Sequence, residues 1–325
     1  MCRILYIVHL YLTYICTGLK NILLRNIVFT ISLLCIIGSI SCSKKNNTNV
    51  LGPYSMASVF SNMAVTPLTV TLNASSGGTF YGNSGTRYYF SPWSFERDSI
   101  AIVGDVQIQV AEYLKKSDLI FSGILPYSNG LPFVSGGAYY LNVMQGGQQV
   151  VIARPAKYQV YIPQQNTPPV GLGLFFGRPD DTVISNSINW QVADTAHGGI
   201  TYLGDTVVIN SDSTHFGCAG IAVGSVAHQN ISLSVSAPIT TFSDTIMAYA
   251  VYDSVNIVWQ MQHVQNHVVT DSVILSLPLH FVVFTIINGD FYSGILAATP
   301  ASGSNYSIYL TKSSPAQLRS KIDAL

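Results

Sequence analysis

The chain is poor in charge. Asp, Glu, Lys and Arg together make up 9% of its 325 residues, against about 25% in an average soluble protein. Glutamate occurs only as Glu96 and Glu112, and no Lys or Arg lies between Pro179 and Thr311. With 48% hydrophobic residues, the chain is not a disordered polyelectrolyte, which needs low hydrophobicity and high net charge. The absence of a basic excess argues against a nucleic-acid partner. The charge is unevenly placed: Ser43–Arg178 holds nine basic against five acidic residues, whereas Pro179–Thr311 holds nine Asp alone. A segment of that sign repels phosphate backbones.

Cysteine is also scarce. Cys2, Cys16 and Cys35 fall in the apolar N-terminal region, which leaves Cys42 and Cys218 for the rest. That excludes a disulfide framework and a Cys-type zinc site, and Cys218 reads as a small buried apolar side chain.

The common catalytic signatures are missing as well. There is no Gly-x-Ser-x-Gly elbow and no HExxH. Gly171–Gly177 is glycine-rich but no helix pattern follows it, so no helix N-terminus is offered to a phosphate. His263 and His267 are four apart within a β-branched run. In one strand they would stand ~13 Å from each other, too far to share a metal. His215 and Cys218 with His228 supply nitrogen and sulfur, but their spacing compels no zinc geometry. Asp180-Asp181 reads as a solvated turn rather than a calcium loop. Neither a metal nor a cofactor is expected.

Two apolar runs open the chain, Ile4–Cys16 and Ile27–Ile40, each shorter than the ~20 residues of a membrane-spanning helix. Lys20 and Arg25 precede the second run, small residues Gly38, Ser39 and Ser41 follow its apolar centre, and then comes Cys42 with the polar stretch Ser43–Asn49. This is the layout of a secretion signal. Gly38-Ser39-Ile40-Ser41-Cys42 resembles the lipobox of bacterial envelope lipoproteins. The resemblance implies cleavage before Cys42, acylation of that thiol, outer-membrane attachment in the cell envelope and a membrane partner through the lipid. Cleavage to a soluble exported form, or retention of the leader as an anchor, are the other outcomes such a leader allows.

Beyond residue 54 the pattern is of short strands. Period-two alternation recurs in Leu68–Leu72, Val106–Val110 and Ile231–Val235, with Gly, Asn, Ser and Pro clusters between the runs. Only Ser314–Leu325 looks helical. Strands without interleaved amphipathic helices predict an all-β fold. We expect two antiparallel, immunoglobulin-like β-sandwich domains after the signal peptide. Residues 42–54 would be a tether, 55–153 the first domain, 154–170 a Pro-rich linker, 171–313 the second domain and 314–325 a tail. Ala57–Asn62 is read as an opening strand. With the alternating strands and the closing segment Gly137–Gly146, the order resembles a tandem β-sandwich family of unknown function found in envelope lipoproteins. That family supplies no catalytic residues.

The densest aromatic segment is Tyr88-Tyr89-Phe90-Ser91-Pro92-Trp93-Ser94-Phe95. Exposed Tyr and Trp can stack on sugars or peptides at low entropic cost, so Tyr88, Tyr89 and Trp93 are the candidate ligand-binding residues. The expected function is non-catalytic: a structural, adhesive, or glycan- or protein-binding role, with a glycan or an envelope protein as partner. The alternative is an envelope hydrolase using a His/Asp site in the second domain.

Overall fold

Alternating apolar and polar residues form half-buried strands such as Leu68–Asn73 and His228–Ser236. The computed structural model describes residues 54–325 except 156–157, 165–166, 180–187, 224–227, 239–245, 262, 266 and 302–303. Cys42, the leader and Asp180-Asp181 therefore lie outside the described residues. Among those described, the protein is all-β with three short helices.

Four large sheets carry the fold. Sheet I orders Leu68–Asn73, Asp105–Tyr113, Leu131–Gln145, His215–Ala222, Gly173–Pro179 and Ile188–Val192. Sheet II orders Gly198–Leu203, Thr206–Ser211, Tyr158–Pro163, Arg87–Phe90 and Gly78–Tyr81. Their inward faces enclose one core, in which Val106, Ile108 and Val110 of sheet I meet Tyr88, Phe90, Val160 and Ile209 of sheet II. Sheet III orders His263–Gln265, Val268–Ile274, His228–Ser236 and Asn305–Tyr309, the last pairing parallel and the others antiparallel. Sheet IV orders Val258–Met261, Met247–Tyr252, Leu279–Ile287, Asp290–Ala298 and Thr311–Lys312. Leu233, Val269 and Ile308 of sheet III pack on Ala250, Phe281 and Val283 of sheet IV in a second core.

A third core joins the two pairs. Trp190, Phe133 and Phe175 from sheet I and Tyr249, Phe284 and Phe291 from sheet IV share it with residues of the three helices. These are α1 (Met56–Met63), α2 (Lys116–Ser122) and α3 (Pro315–Asp323). Residues Pro53–Leu325 accordingly form one compact unit.

The sheets do not part where the prolines fall. Tyr158–Pro163, inside the expected linker, is a central strand of sheet II, paired with Arg87–Phe90 on one side and Thr206–Ser211 on the other. Strands from Gly173 to Ala222, expected in the second domain, belong to sheets I and II. Proline breaks a ladder only where its missing N–H faces a neighbour, and Pro163 closes its strand. Ala57–Asn62 is also helix rather than strand. Ser55 and Ser58 form a reciprocal capping box at its start, and the helix turns Val59 and Phe60 toward the third core.

The α2–α3 contact is ionic. Arg319 donates to the carboxylate of Asp118 and to the carbonyl of Met63, and Ser117 donates to Asp323. At the first core's edge, buried Glu112 accepts the amide N–H of Ser84 at 2.6 Å and of Thr86 at 3.1 Å. The glycine turn between Gly78–Tyr81 and Arg87–Phe90 is thus held by a carboxylate behind it.

Candidate binding face

The pleat of sheet II sorts the aromatic segment between two sides. Tyr88 and Phe90 point inward and are fully buried, while Arg87 and Tyr89 point outward. Tyr88 stacks on Phe80 with ring centroids 5.1 Å apart. Burial, and then the nearby Glu112 carboxylate, pushes its hydroxyl well above the usual tyrosine range. It is a core residue and does not reach the surface, which removes it from the candidate ligand contacts. Tyr89 is 37% exposed and Trp93 is 51% exposed. Trp93 sits in the loop that follows, with φ 62° and its amide donating to the carbonyl of Ala74 at 3.0 Å. A bulky residue in that left-handed region is an outlier that surrounding structure must impose.

Strand register extends the outward row beyond the segment read from the sequence. Tyr81 lies opposite Arg87, which lies opposite Tyr161. Tyr89 lies between Thr79 and Gln159, one pleat further along. Tyr81 is 63% exposed. The Arg87 guanidinium lies over the Tyr161 ring, 3.6 Å from its centroid. The Tyr161 hydroxyl donates to Gln159 Oε1 at 2.7 Å, and Gln159 Nε2 donates to Asn210 Oδ1 at 2.9 Å. The outer face thus combines three tyrosines, one guanidinium and two amides on a stiff sheet. Tyr81 and Tyr161 were invisible as neighbours of one arginine in the sequence, because 80 residues and eight intervening strands separate them there. The alternation of Gly78–Tyr81 and Tyr158–Pro163 marked their direction, but only pairing sets them side by side.

The outer face of sheet III offers a second feature. A depression of about 560 Å³ is lined by Asn230, Ser232, Thr270, Ser272, Ser304 and Asn305 among others. The Ser272 hydroxyl already donates to Asn230 Oδ1 at 2.7 Å. None of these six is aromatic, so they give a ring no stacking surface.

Histidine and aspartate do meet, in two places. His197 Nδ1 is 3.1 Å from Asp212 Oδ2 and 3.1 Å from Arg154 Nη2. His280 Nδ1 is 2.7 Å from Asp253 Oδ1. Among the described residues no serine, threonine or cysteine bonds to either ring, so neither pair is extended to a nucleophile. The His215 ring lies between Thr214 Oγ1 and Gln149 Nε2, both at 3.1 Å, and among the described residues no carboxylate joins them. His263 lies in one strand of a hairpin and His267 in its turn, with φ 64°, so the two do not share a strand. Among the described residues no three His, Cys, Asp or Glu side chains converge as metal ligands. Cys218 is buried, and burial pushes its thiol up to about 12, which keeps it protonated and unreactive. No described helix is long and apolar enough to cross a membrane.

Comparison with family models, curated proteins and solved structures finds no match to this chain.

Proposed function

We propose that this chain is a non-catalytic lipoprotein of the cell envelope, anchored to the outer membrane through lipid on Cys42, and that the outer face of sheet II binds glycan. Two immunoglobulin-like sandwiches sharing a third core would form its body, a reading supported by the two sheet pairs with separate cores. The observation that carries the binding role is the outward row of Tyr81, Tyr89 and Tyr161 around Arg87. Tyrosine rings present flat apolar surface to the C–H face of a sugar, and neighbouring amides and hydroxyls serve its hydroxyl groups. The shallow, polar character of the face favours a glycan over a protein partner, whose interface centre would be apolar and well packed. The leader sequence, not the described structure, supports the anchor.

Glycan-array binding tests the role. Tyr81→Ala and Tyr89→Ala should each weaken retention about tenfold, as loss of one stacking contact of ~1.4 kcal/mol implies; unchanged binding in both variants would defeat the assignment. Labelled palmitate tests the anchor: incorporation should vanish in Cys42→Ser. A hydrolase centred on His197 and Asp212 is the second reading, favoured by their contact. It requires turnover of ester or glycoside substrates that His197→Ala abolishes.

A further inference from the structure

We infer that the ligand of the sheet II face is an acidic glycan and that Arg87 reads its carboxylate. This rests on the glycan-binding role proposed above and adds the chemical class of the sugar.

Arg87 is the only charged residue in the five strands of sheet II. A neutral ligand would need no cation there, and a chain this poor in charge rarely places one by default. The setting of the side chain is more telling. Its guanidinium carbon lies over the Tyr161 ring, 3.6 Å from the centroid, a contact to a π-face that uses none of the group's N–H donors on an oxygen acceptor. Arginine carries five such donors in a rigid fork that matches a carboxylate with two parallel bonds. Four other cations already use theirs, whereas exposed Arg178 and Lys321 have no acceptor among the described residues and no ring beneath them. Arg97 donates to the carbonyls of Gln145 and Gln149, Arg154 meets Asp212, Arg319 meets Asp118, and Lys116 donates to the carbonyl of Tyr252. Among the described residues Arg87 has no protein acceptor, although it is half-buried and held in place.

The surrounding groups suit a sugar acid. Tyr81 and Tyr161 flank Arg87 on the adjacent strands, at the ~4.8 Å spacing of neighbouring chains. A ring stacked on Tyr81 therefore brings an equatorial substituent over the guanidinium edge. The charge layout agrees, since the acidic excess lies between Pro179 and Thr311, and the strands that segment lends to sheet II carry no charge. No carboxylate stands within the sheet to repel an anion.

The full chain in mild detergent is tested against polygalacturonate, alginate and hyaluronan, each paired with its carboxyl-reduced form, which keeps the backbone and loses the charge. The expected result is binding to at least one acidic member, at least tenfold tighter than to its reduced partner. Arg87→Gln should abolish that discrimination, and Arg87→Lys, which keeps the charge without the fork, should retain only part of it. Tyr81→Ala should weaken both forms alike. Circular dichroism and melting temperature must match the parent for these variants; Arg87→Lys stands in for Arg87→Gln, and Tyr89→Ala for Tyr81→Ala, where the first does not fold. Equal binding of native and reduced forms overturns the acidic-ligand inference and leaves the glycan role standing. Discrimination that survives Arg87→Gln, or retention of dextran sulfate alone, overturns carboxylate reading by Arg87. Binding of no glycan in either form, including the case of a protein partner captured instead, overturns both.

Discussion

Replacing Glu112 by Gln should cost more stability than any comparably small change on the surface. Glu112 is 4% exposed, and its carboxylate accepts one backbone N–H on each oxygen, from Ser84 and Thr86. A glutamine keeps one acceptor and turns the other position into an N–H₂ donor facing a donor. Whichever way the amide is oriented, one buried N–H loses its partner. Loss of a hydrogen bond to a charged group is worth ~1.5–3 kcal/mol, so about 2 kcal/mol is expected. At 2–4 °C per kcal/mol for a chain of this size, the melting temperature should fall by about 4–8 °C. Scanning calorimetry reads this directly. Thr86→Val is the internal control. Its hydroxyl is buried without a protein partner, so an isosteric apolar replacement should change stability by less than ~0.5 kcal/mol or raise it. The effect reaches the binding face as well, because the held turn joins the strands bearing Tyr81 and Arg87. A Glu112→Gln melt within ~1 °C of the parent would refute the argument. A Thr86→Val loss as large as the Glu112→Gln loss would do the same.

Three further outcomes follow from the packing. Arg319→Met takes the ion-pair partner from buried Asp118 and leaves only the weaker influence of Lys115, which should cost up to ~3–5 kcal/mol in a thermal melt; pairing it with Asp118→Asn, which drops the charge and keeps an acceptor for the Lys115 amide, should restore much of the loss, and failure to do so would deny the pair its role. Alkali should unfold the protein cooperatively. Burial pushes Tyr113, Tyr158 and Tyr252 up to about 12 from 10.0, and Cys218 up to about 12 from 9.0. The folded state holds protons that the unfolded chain releases, so stability is level below about pH 9 and declines toward pH 12. Tyrosinate absorbance and circular dichroism should change together; smooth ionisation of these buried rings in an intact fold would contradict this. Trp93→Gly should leave the melting temperature unchanged or raise it by up to a few degrees, because glycine adopts the φ of 62° without strain. A marked drop would mean that the exposed indole supports the fold.

Local chemistry already determines much of this protein. The alternation in Leu68–Leu72, Val106–Val110 and Ile231–Val235 foretells strands, because a period of two commits one side of the chain to a core, and all three lie in strands of the fold. Ser314 and Pro315 announce helix α3 through a cap and a ready-set first turn. Turn residues such as Asn129-Gly130 and Asn288-Gly289 take the positive φ that their small or amide side chains tolerate. Helix α1 was hidden because eight residues give no clear period, and its capping box is made of two serines without the usual glutamate.

Partnership between distant strands had to await the fold. Tyr158–Pro163 reads as a linker by its neighbouring prolines, yet its place between Arg87–Phe90 and Thr206–Ser211 makes it the middle of a sheet. The same pairing puts Tyr88 inside and sets Tyr161 beneath Arg87. A strand's own residues say which side chains share a face, since that follows from backbone geometry. Which other strand lies beside it depends on the summed burial of cores assembled from the whole chain, and no short stretch of sequence contains that sum.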